Sequence, residues 1–340
     1  MRAQHGCLRA RIPALCGIAL ALITFEVAFR FLLFGTTYLD PRIHRVVRTE
    51  RHRLGEGFGL ANWDERGIRL SPHACANCPQ VLVIGDSYTE GFQVNDDQTY
   101  AAVAESLLAA QRPLRLLNAG FATASPANYV VDAARYRRRI KPTWVIIQLS
   151  ADDLGPDAFH QDKVHFRQER DGLKLEVPAP YDYGLISRTL GGLRERSALL
   201  NFAIGHIDVA RHGPTGPPWF RAGSEATAPV VVEAPRTYPL ERELDLMRSS
   251  YENRVTFLFL PLFNHPVENE ETRFVRYCQM THVSCVNFRS SFGEFQRAGT
   301  APYGFPNSRF AGGHLNAAGH EAVARLLVAE IRRLEQHGLF

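Results

Sequence analysis

Five short runs of apolar residues recur between residues 80 and 288 of the sequence. Segments with apolar positions at helical spacing, such as TYAAVAESLLAAQ and NYVVDAARYRRRI, lie between several of these runs. Continuous apolar strands that alternate with helices are typical of a parallel sheet covered on both faces. The five runs are QVLVIG, LRLLNAG, WVIIQLS, VTFLFLP and VSCVNF. The pattern therefore predicts an α/β domain: a three-layer α/β/α sandwich around a mostly parallel, five-stranded sheet.

Residues typical of helix ends mark the boundaries of two predicted helices. Ser125 precedes Pro126, which is a favourable helix start because the hydroxyl caps the first turn and proline fits its first position. The last helix is predicted to begin near Asn316 and to stop at Gly338. Its inward-facing positions, spaced for one helical face, are Ala322, Leu326, Leu327 and Ile331.

The N-terminal segment differs from the rest of the chain. Ile12 to Phe34 is mostly apolar and follows three arginines; as a helix it would be about 34 Å long, enough for a bilayer core of roughly 30 Å. Glu26 and Arg30 are costly in a membrane, but their spacing of four lets them pair on one helical face. A cleaved signal peptide is the alternative, although no small-x-small cleavage site follows. We predict a single-pass anchor in a bacterial inner membrane, with the main domain in the periplasm or outside the cell.

The remaining chain divides by composition. Residues 36–79 are rich in arginine, glycine and proline and predict an irregular connecting segment after the anchor at 1–35. Residues 80–340 form the predicted α/β domain, in which the alternation of strands and helices lapses at about 157–240, a loop-rich insertion.

Composition narrows the function classes. The chain is 45% hydrophobic and 22% charged, which is ordinary for a globular protein and excludes a disordered one. The net charge is only +4, and no arginine cluster is interleaved with aromatic residues, so a nucleic-acid partner is not expected.

Four cysteines lie outside the N-terminal segment, as Cys75 and Cys78 in CANC, and as Cys278 and Cys285. Two local disulfides would suit an oxidising compartment. A zinc site and a redox Cys-x-x-Cys are the alternatives; the first usually needs two close pairs, and the second a position at a helix start after a strand.

Four polar stretches follow predicted strands or open a helix, and the carboxyl ends of parallel strands are where ligands bind in an open sheet. They are Gly85-Asp86-Ser87, Asn118-Ala119-Gly120, Ser150-Ala151-Asp152-Asp153 and GGHLNAAGH before the last helix. In this order they resemble the four blocks of the SGNH/GDSL hydrolase family, over roughly residues 80–329. YLDPRIHRVVR and NWDERGIRL, ahead of the first block, also resemble its anchored bacterial members. The resemblance implies a flavodoxin-like strand topology.

The resemblance also implies roles that acyl transfer requires. Ser87 would be the nucleophile and His314 its general base, because a serine hydroxyl needs a base within hydrogen-bond reach. The oxyanion would be bound by the N–H groups of Ser87 and Gly120 and by the third-block side chain. Asp86 is expected to organise the turn and Asp153 to support the third block. His320, inside the last helix, is expected to be structural.

Two departures from the family pattern put activity in doubt. Asp152 occupies the position of the family's asparagine. An ionised carboxylate there would repel the oxyanion, whereas a carboxyl group kept protonated by a raised pKa could donate a hydrogen bond to it. Ala311 and Gly312 stand where an acid would be expected before His314, so the sequence shows no third member of a triad.

Two functions follow. The first is an extracytoplasmic serine esterase or O-acyltransferase, acting on an acylated carbohydrate or other ester of the cell envelope through a Ser87 acyl-enzyme. The second is a catalytically silent relative that binds glycan or scaffolds an envelope assembly. Ester chemistry of this kind needs no cofactor, and the histidine spacings favour no metal site. Hydrolysis and transfer differ only in the acceptor, which the sequence does not reveal.

Overall fold

A computed structural model of the chain describes residues 3–32, 37–40, 45–48, 56–154 without 58, 65, 74, 76, 112 and 123, then 164–169, 172–177, 197, 199, and 238–338 without 307, 309 and 310. Within these ranges, the side chains of 3–12, 15, 29–32, 37–40, 45–48 and 152 are not described. Most of the predicted insertion at 157–240 therefore lies outside the described residues.

The central sheet has five strands, which in chain order are β3 (Gln80–Ile84), β4 (Arg115–Asn118), β5 (Trp144–Ser150), β8 (Val255–Leu260) and β9 (Ser284–Asn287). All are parallel, and their order across the sheet is β4-β3-β5-β8-β9. Each strand coincides with one of the five apolar runs. The flavodoxin-like order, in which the chain reverses direction across the sheet between β3 and β5, is the one predicted.

Helices cover both faces of the sheet. One face packs against α3 (Tyr100–Ala109), α7 (Phe292–Ala298) and α8 (Ala317–Gln336). The other packs against α4 (Pro126–Arg139), α5 (Leu240–Ser250) and α6 (Asn269–Thr281). The three-layer prediction is confirmed, and so are two predicted helix starts, Ser125 as the cap of α4 and Asn316 as the cap of α8.

Four further pieces, together with three short 3₁₀ turns, complete the described elements. A four-residue helix, α2 (Ser87–Glu90), follows β3 after the two-residue turn Gly85-Asp86. Two antiparallel hairpins lie outside the sheet, β1 (Thr37–Asp40) with β2 (Arg45–Arg48) and β6 (His165–Glu169) with β7 (Gly172–Glu176). The N-terminal helix α1 spans Ala3–Leu32.

The helix α1 occupies the segment predicted to be an anchor. The part of the chain that the structure describes includes no helix that is both long and apolar enough to cross a membrane. The membrane anchor predicted at 1–35, with its span at Ile12 to Phe34, is not supported by this finding.

The described part of residues 56–79 was predicted as an irregular connector, but it packs against the α/β domain. Ala61, Trp63 and Ile68 are buried, and the Trp63 ring lies 5.9 Å from the ring of Phe92. The Arg69 N–H donates to the Asn118 carbonyl at 2.8 Å, so that this segment pairs with the end of the edge strand β4. The segment thereby lies beside the carboxyl ends of the strands.

Both predicted cysteine pairs are disulfides, Cys75 with Cys78 and Cys278 with Cys285. The bonded sulfurs are not the thiolates that a zinc site would use. The second pair links α6 to β9, the edge strand that follows this helix in the chain.

Candidate active site

Ser87 stands at the first position of α2, immediately beyond the carboxyl end of β3. The turn between them is tight because Gly85 lies directly against Thr89 and Gln148; a β-carbon at Gly85 would overlap Thr89 Oγ1 and Gln148 Oε1. Asp86 caps α2, its side chain accepting a hydrogen bond from the Tyr88 N–H at 2.8 Å. Gly-Asp-Ser therefore places a hydroxyl at the start of a helix, beside the carboxyl end of an inner strand of the sheet.

His314 lies in the loop that leads into α8. A backbone bridge between Tyr303 and Leu315, and the Gly304 N–H that donates to the His314 carbonyl at 2.9 Å, hold this loop in place. Asn316 fixes its far end by capping α8 through the Gly319 N–H. The Tyr88 ring packs 5.3 Å from the imidazole.

The structure brings Ser87 and His314 together. Ser87 Oγ lies 2.9 Å from His314 Nε2, within the hydrogen-bond reach that a general base needs. The two residues are 227 positions apart in the chain, so this contact depends on the complete sheet. The pair is the one predicted from the sequence, and its catalytic role stays a prediction.

The acid missing from the positions before His314 is supplied by Glu56. Glu56 Oε2 lies 2.6 Å from His314 Nδ1, and Glu56 Oε1 accepts the His314 backbone N–H at 2.9 Å. The carboxylate thus contacts both the ring and the backbone of the same residue. A protonated Nδ1 leaves Nε2 free to accept the Ser87 proton, and the carboxylate stabilises the imidazolium that results.

Glycines allow Glu56 to reach the site. Gly57 and Gly59 lie against the backbone of Gln93 and Val94, where a β-carbon on either glycine would overlap a carbonyl oxygen. Gly313, with φ +80°, leaves the space that the Glu56 carboxylate occupies. The density of glycines around one acid in GEGFG was a local signal in the sequence, but nothing in that segment points to a histidine 258 residues away.

Asp86 lies behind the nucleophile instead of in the triad. Burial raises the pKa of its carboxyl to about 6, while the Tyr88 N–H and the nearby His314 act in the opposite direction. Its own N–H donates to Gln148 Oε1 at 3.1 Å, and Thr89 donates to the same oxygen at 2.8 Å. Gln148 is fully buried, so its amide oxygen is a fixed acceptor for this turn. The organising role of Asp86 stays a prediction.

The three predicted oxyanion donors, Ser87, Gly120 and Asp152, differ in their hydrogen bonding and in how much of each the structure describes. The Ser87 N–H is the first of α2 and so has no acceptor within the helix. The Gly120 N–H donates to Asn118 Oδ1 at 3.0 Å, so in this conformation it is already engaged. Asp152 lies in the short turn Ala151–Asp153 after β5, but its side chain is outside the described residues. The oxyanion roles of Gly120 and Asp152 therefore stay predictions.

Asp153 and His320 have structural partners. Asp153 Oδ2 accepts the N–H and the hydroxyl of Ser150 at 2.7 and 2.9 Å, which closes the turn after β5. His320 is buried on α8, where its Nδ1 accepts the Tyr100 N–H at 3.2 Å. Burial lowers the pKa of His320 to about 3, which keeps the ring neutral.

No protein-family profile matches the sequence, and no curated protein matches it either. Several solved structures match at low identity. A two-domain esterase active on acetylated mannans shares 13% identity over 76% of this chain and 50% of its own, with a TM-score of 0.41. The psychrotrophic esterase EstA from Pseudoalteromonas sp. shares 10% identity over 76% of this chain and 98% of its own, with a TM-score of 0.39.

A member of the lipolytic G-D-S-L family from Veillonella parvula DSM 2008 shares 9% identity over 76% of this chain and all of its own, with a TM-score of 0.39. In this chain, the contacts that join Ser87, His314 and Glu56 are those of a catalytic triad. The order of the four motifs resembles that of the SGNH/GDSL hydrolases, and these contacts could carry out the proton transfers of a serine hydrolase.

Proposed function

We propose that this chain is a serine esterase that cleaves acyl esters through a covalent Ser87 intermediate. The observation that carries the proposal is the continuous contact from Ser87 Oγ to His314 Nε2 and from His314 Nδ1 to Glu56, at 2.9 and 2.6 Å. A structural histidine would need neither a hydroxyl at one ring nitrogen nor a carboxylate at the other.

The reaction follows from this geometry. Ser87 Oγ attacks the ester carbonyl carbon while its proton passes to His314 Nε2, and Glu56 stabilises the imidazolium. The tetrahedral intermediate collapses, the C–O bond of the ester breaks, and His314 returns the proton to the leaving alkoxide. A second oxygen nucleophile, deprotonated by the same histidine, then attacks the acyl-enzyme and releases Ser87.

We further propose that the substrate is an acylated carbohydrate or related ester of the cell envelope, and that the domain acts outside the cytoplasm. The two disulfides support an oxidising compartment. The resemblance of the segments before the first block to anchored bacterial members supports an envelope substrate. Water as the acceptor makes the protein an esterase, and a sugar hydroxyl makes it an O-acyltransferase.

The proposal is tested with p-nitrophenyl acetate and purified protein. Ser87→Ala is expected to lower kcat by about 10⁴-fold or more, because no other group replaces the nucleophile. Ser290→Ala is the matched control: Ser290 is an exposed serine whose hydroxyl donates to the Asn287 carbonyl. Undiminished cleavage by Ser87→Ala would remove the esterase assignment.

One observation favours the alternative function, a catalytically silent protein that binds glycan or scaffolds an envelope assembly. This observation is the aspartate at position 152. If the parent protein neither cleaves the ester nor forms an acyl-enzyme detectable by intact mass, and Asp152→Asn does both, the site is disarmed and a binding role follows.

To separate hydrolysis from transfer, the parent is given an acetyl ester together with an oligosaccharide, and the acetylated sugar is measured against free acetate.

A further inference from the structure

The short helix that bears Ser87 is held at its far end by a buried arginine. The Arg69 guanidinium donates to the Glu90 carbonyl from Nη1 and to the Val94 carbonyl from Nη2, each at 2.6 Å. A further hydrogen bond joins Nη1 to the Gly91 carbonyl. Arg69 is only 3% exposed, so these bonds are shielded from water.

A helix as short as α2 needs such support. It has four residues, far fewer than an isolated helix requires, and its last carbonyls have no intrahelical donors. Arg69 satisfies the carbonyls of Glu90 and Gly91, and Asn118 Nδ2 donates to the Thr89 carbonyl at 2.7 Å. The position of the Ser87 hydroxyl at the other end of α2 therefore depends on contacts outside the helix.

Arg69 is itself fixed in orientation. Its Nε donates to Asp96 Oδ1 at 2.8 Å, and its guanidinium lies 5.7 Å from the centre of the Trp63 ring. Asp96 is in turn bonded to the backbone and side chain of Asn62. These bonds leave the guanidinium one orientation, in which its three nitrogens donate to four different acceptors. Lysine cannot reproduce this planar fork.

The same segment carries the acid of the triad. Glu56 and Arg69 are 13 residues apart, and both reach into the site from the chain that precedes β3. We propose that Arg69 is a positioning residue that sets α2, and with it Ser87, against the His314–Glu56 pair. The proposal rests on the proposed function, since it concerns the alignment of the nucleophile with its base.

The test compares Arg69→Lys with Arg289→Lys in the full chain. Arg289 is a matched control because it also pairs with a carboxylate, Glu271, and donates to two carbonyls, those of His265 and Pro266, but at a place outside the described contacts of the triad. The measurements are the rate constant of fluorophosphonate labelling, the kcat and KM for p-nitrophenyl acetate, and the unfolding midpoint.

Arg69→Lys is expected to lower both the labelling rate constant and kcat by about 10- to 100-fold with KM nearly unchanged, because a shift of the nucleophile by a fraction of an ångström misaligns the attack. Arg289→Lys is expected to lower the unfolding midpoint without changing kcat. Equal kcat values in the two variants, in a parent that labels normally, would overturn the positioning role. A parent that does not label contradicts the proposed function instead.

If Arg69→Lys does not fold, Asp96→Asn replaces it in the test. This variant keeps the arginine but removes the charge that orients its Nε. A severalfold fall in kcat at constant KM supports the proposal, and an unchanged kcat contradicts it.

Discussion

Both oxygens of the Glu56 carboxylate are occupied by one residue, His314, whose ring and backbone N–H they accept. This double contact fixes the direction of the imidazole as well as its tautomer. The ring nitrogen that faces Ser87 is then the unprotonated one, as a base requires. A close Ser87–His314 pair is reactive only when the imidazole has this orientation and this tautomer, and Glu56 fixes both.

Glu56→Gln is expected to lower kcat/KM by about 10²- to 10⁴-fold, because the glutamine amide can donate to Nδ1 and so favour the tautomer that carries its proton on Nε2. Steady-state kinetics on p-nitrophenyl acetate measures the effect. Glu271→Gln is the control, since it removes a buried carboxylate from the Arg289 ion pair and not from the triad. Equal losses in both variants would mean that Glu56 acts only on stability.

Asp86 makes a testable contribution to stability. Its pKa is about 6 in the folded chain against 3.8 for a free side chain. Between these values the folded chain holds a proton that the unfolded chain has lost, so the free energy of unfolding falls as the pH rises through this window. Asp86→Asn retains an oxygen for the Tyr88 N–H but does not titrate.

The parent is therefore expected to lose stability relative to Asp86→Asn as the pH rises from about 4 to about 6, with a constant difference above that range. Urea unfolding at pH 4, 5, 6 and 7 measures it. A difference that stays the same at all four values would show that burial does not hold the proton on Asp86.

At the scale of elements, the turns around Ser87, His314 and Glu56 depend on glycine residues. Gly313 has φ +80°, a conformation that favours glycine, and an added β-carbon would overlap Glu56 Oε1. Gly299 has φ +65° with open space around the same position. The two residues share the backbone constraint and differ only in whether the acid of the triad lies next to them.

Gly313→Ala and Gly299→Ala are each expected to lower the free energy of unfolding by about 1 kcal/mol, the cost of a side chain in the left-handed region. Only Gly313→Ala is expected to lower kcat, by about 10²-fold, because it displaces Glu56 from His314. Denaturant unfolding and steady-state kinetics on both variants give the comparison. A Gly313→Ala variant with the parent's kcat would mean that the Glu56 contact is dispensable.

The elements were largely predictable, whereas the acid was not. Strands β3, β4, β5, β8 and β9 follow from runs such as VLVI and VTFLFL, because a strand buried on both faces has an unbroken apolar signature. Ser87 and His314 lie where strand ends and a helix start must meet. Glu56 lies in a segment without periodicity, and its approach depends on glycine contacts with Gln93 and Val94 that no local pattern encodes.

At the scale of the whole molecule, the segment before β3 joins the site to the edge of the sheet. Arg69 pairs with Asn118 at the end of β4, while Trp63 packs on Phe92. The composition of this segment, rich in arginine and glycine, predicted an irregular connector. Composition could not show that Arg69 is buried, because its partners come from α2 and the residues that follow it.

The disulfide between Cys278 and Cys285 is expected to contribute about 2 kcal/mol to the free energy of unfolding, the value for a short closed loop. The double variant Cys278→Ala, Cys285→Ala should lose this amount under oxidising conditions and match the parent in the presence of a reductant. Cys16→Ser is the control, since Cys16 is free. A parent whose urea unfolding curve is the same with and without reductant would contradict a stabilising Cys278–Cys285 disulfide.

The most direct test of the triad is fluorophosphonate labelling of the intact chain, with the labelled residue identified by peptide mass. The parent is expected to be labelled at Ser87, Ser87→Ala not at all, and His314→Ala and Glu56→Gln at least about 10²-fold more slowly than the parent. Labelling of the parent at a residue other than Ser87, or labelling of His314→Ala and Glu56→Gln at the parent's rate, would contradict the account.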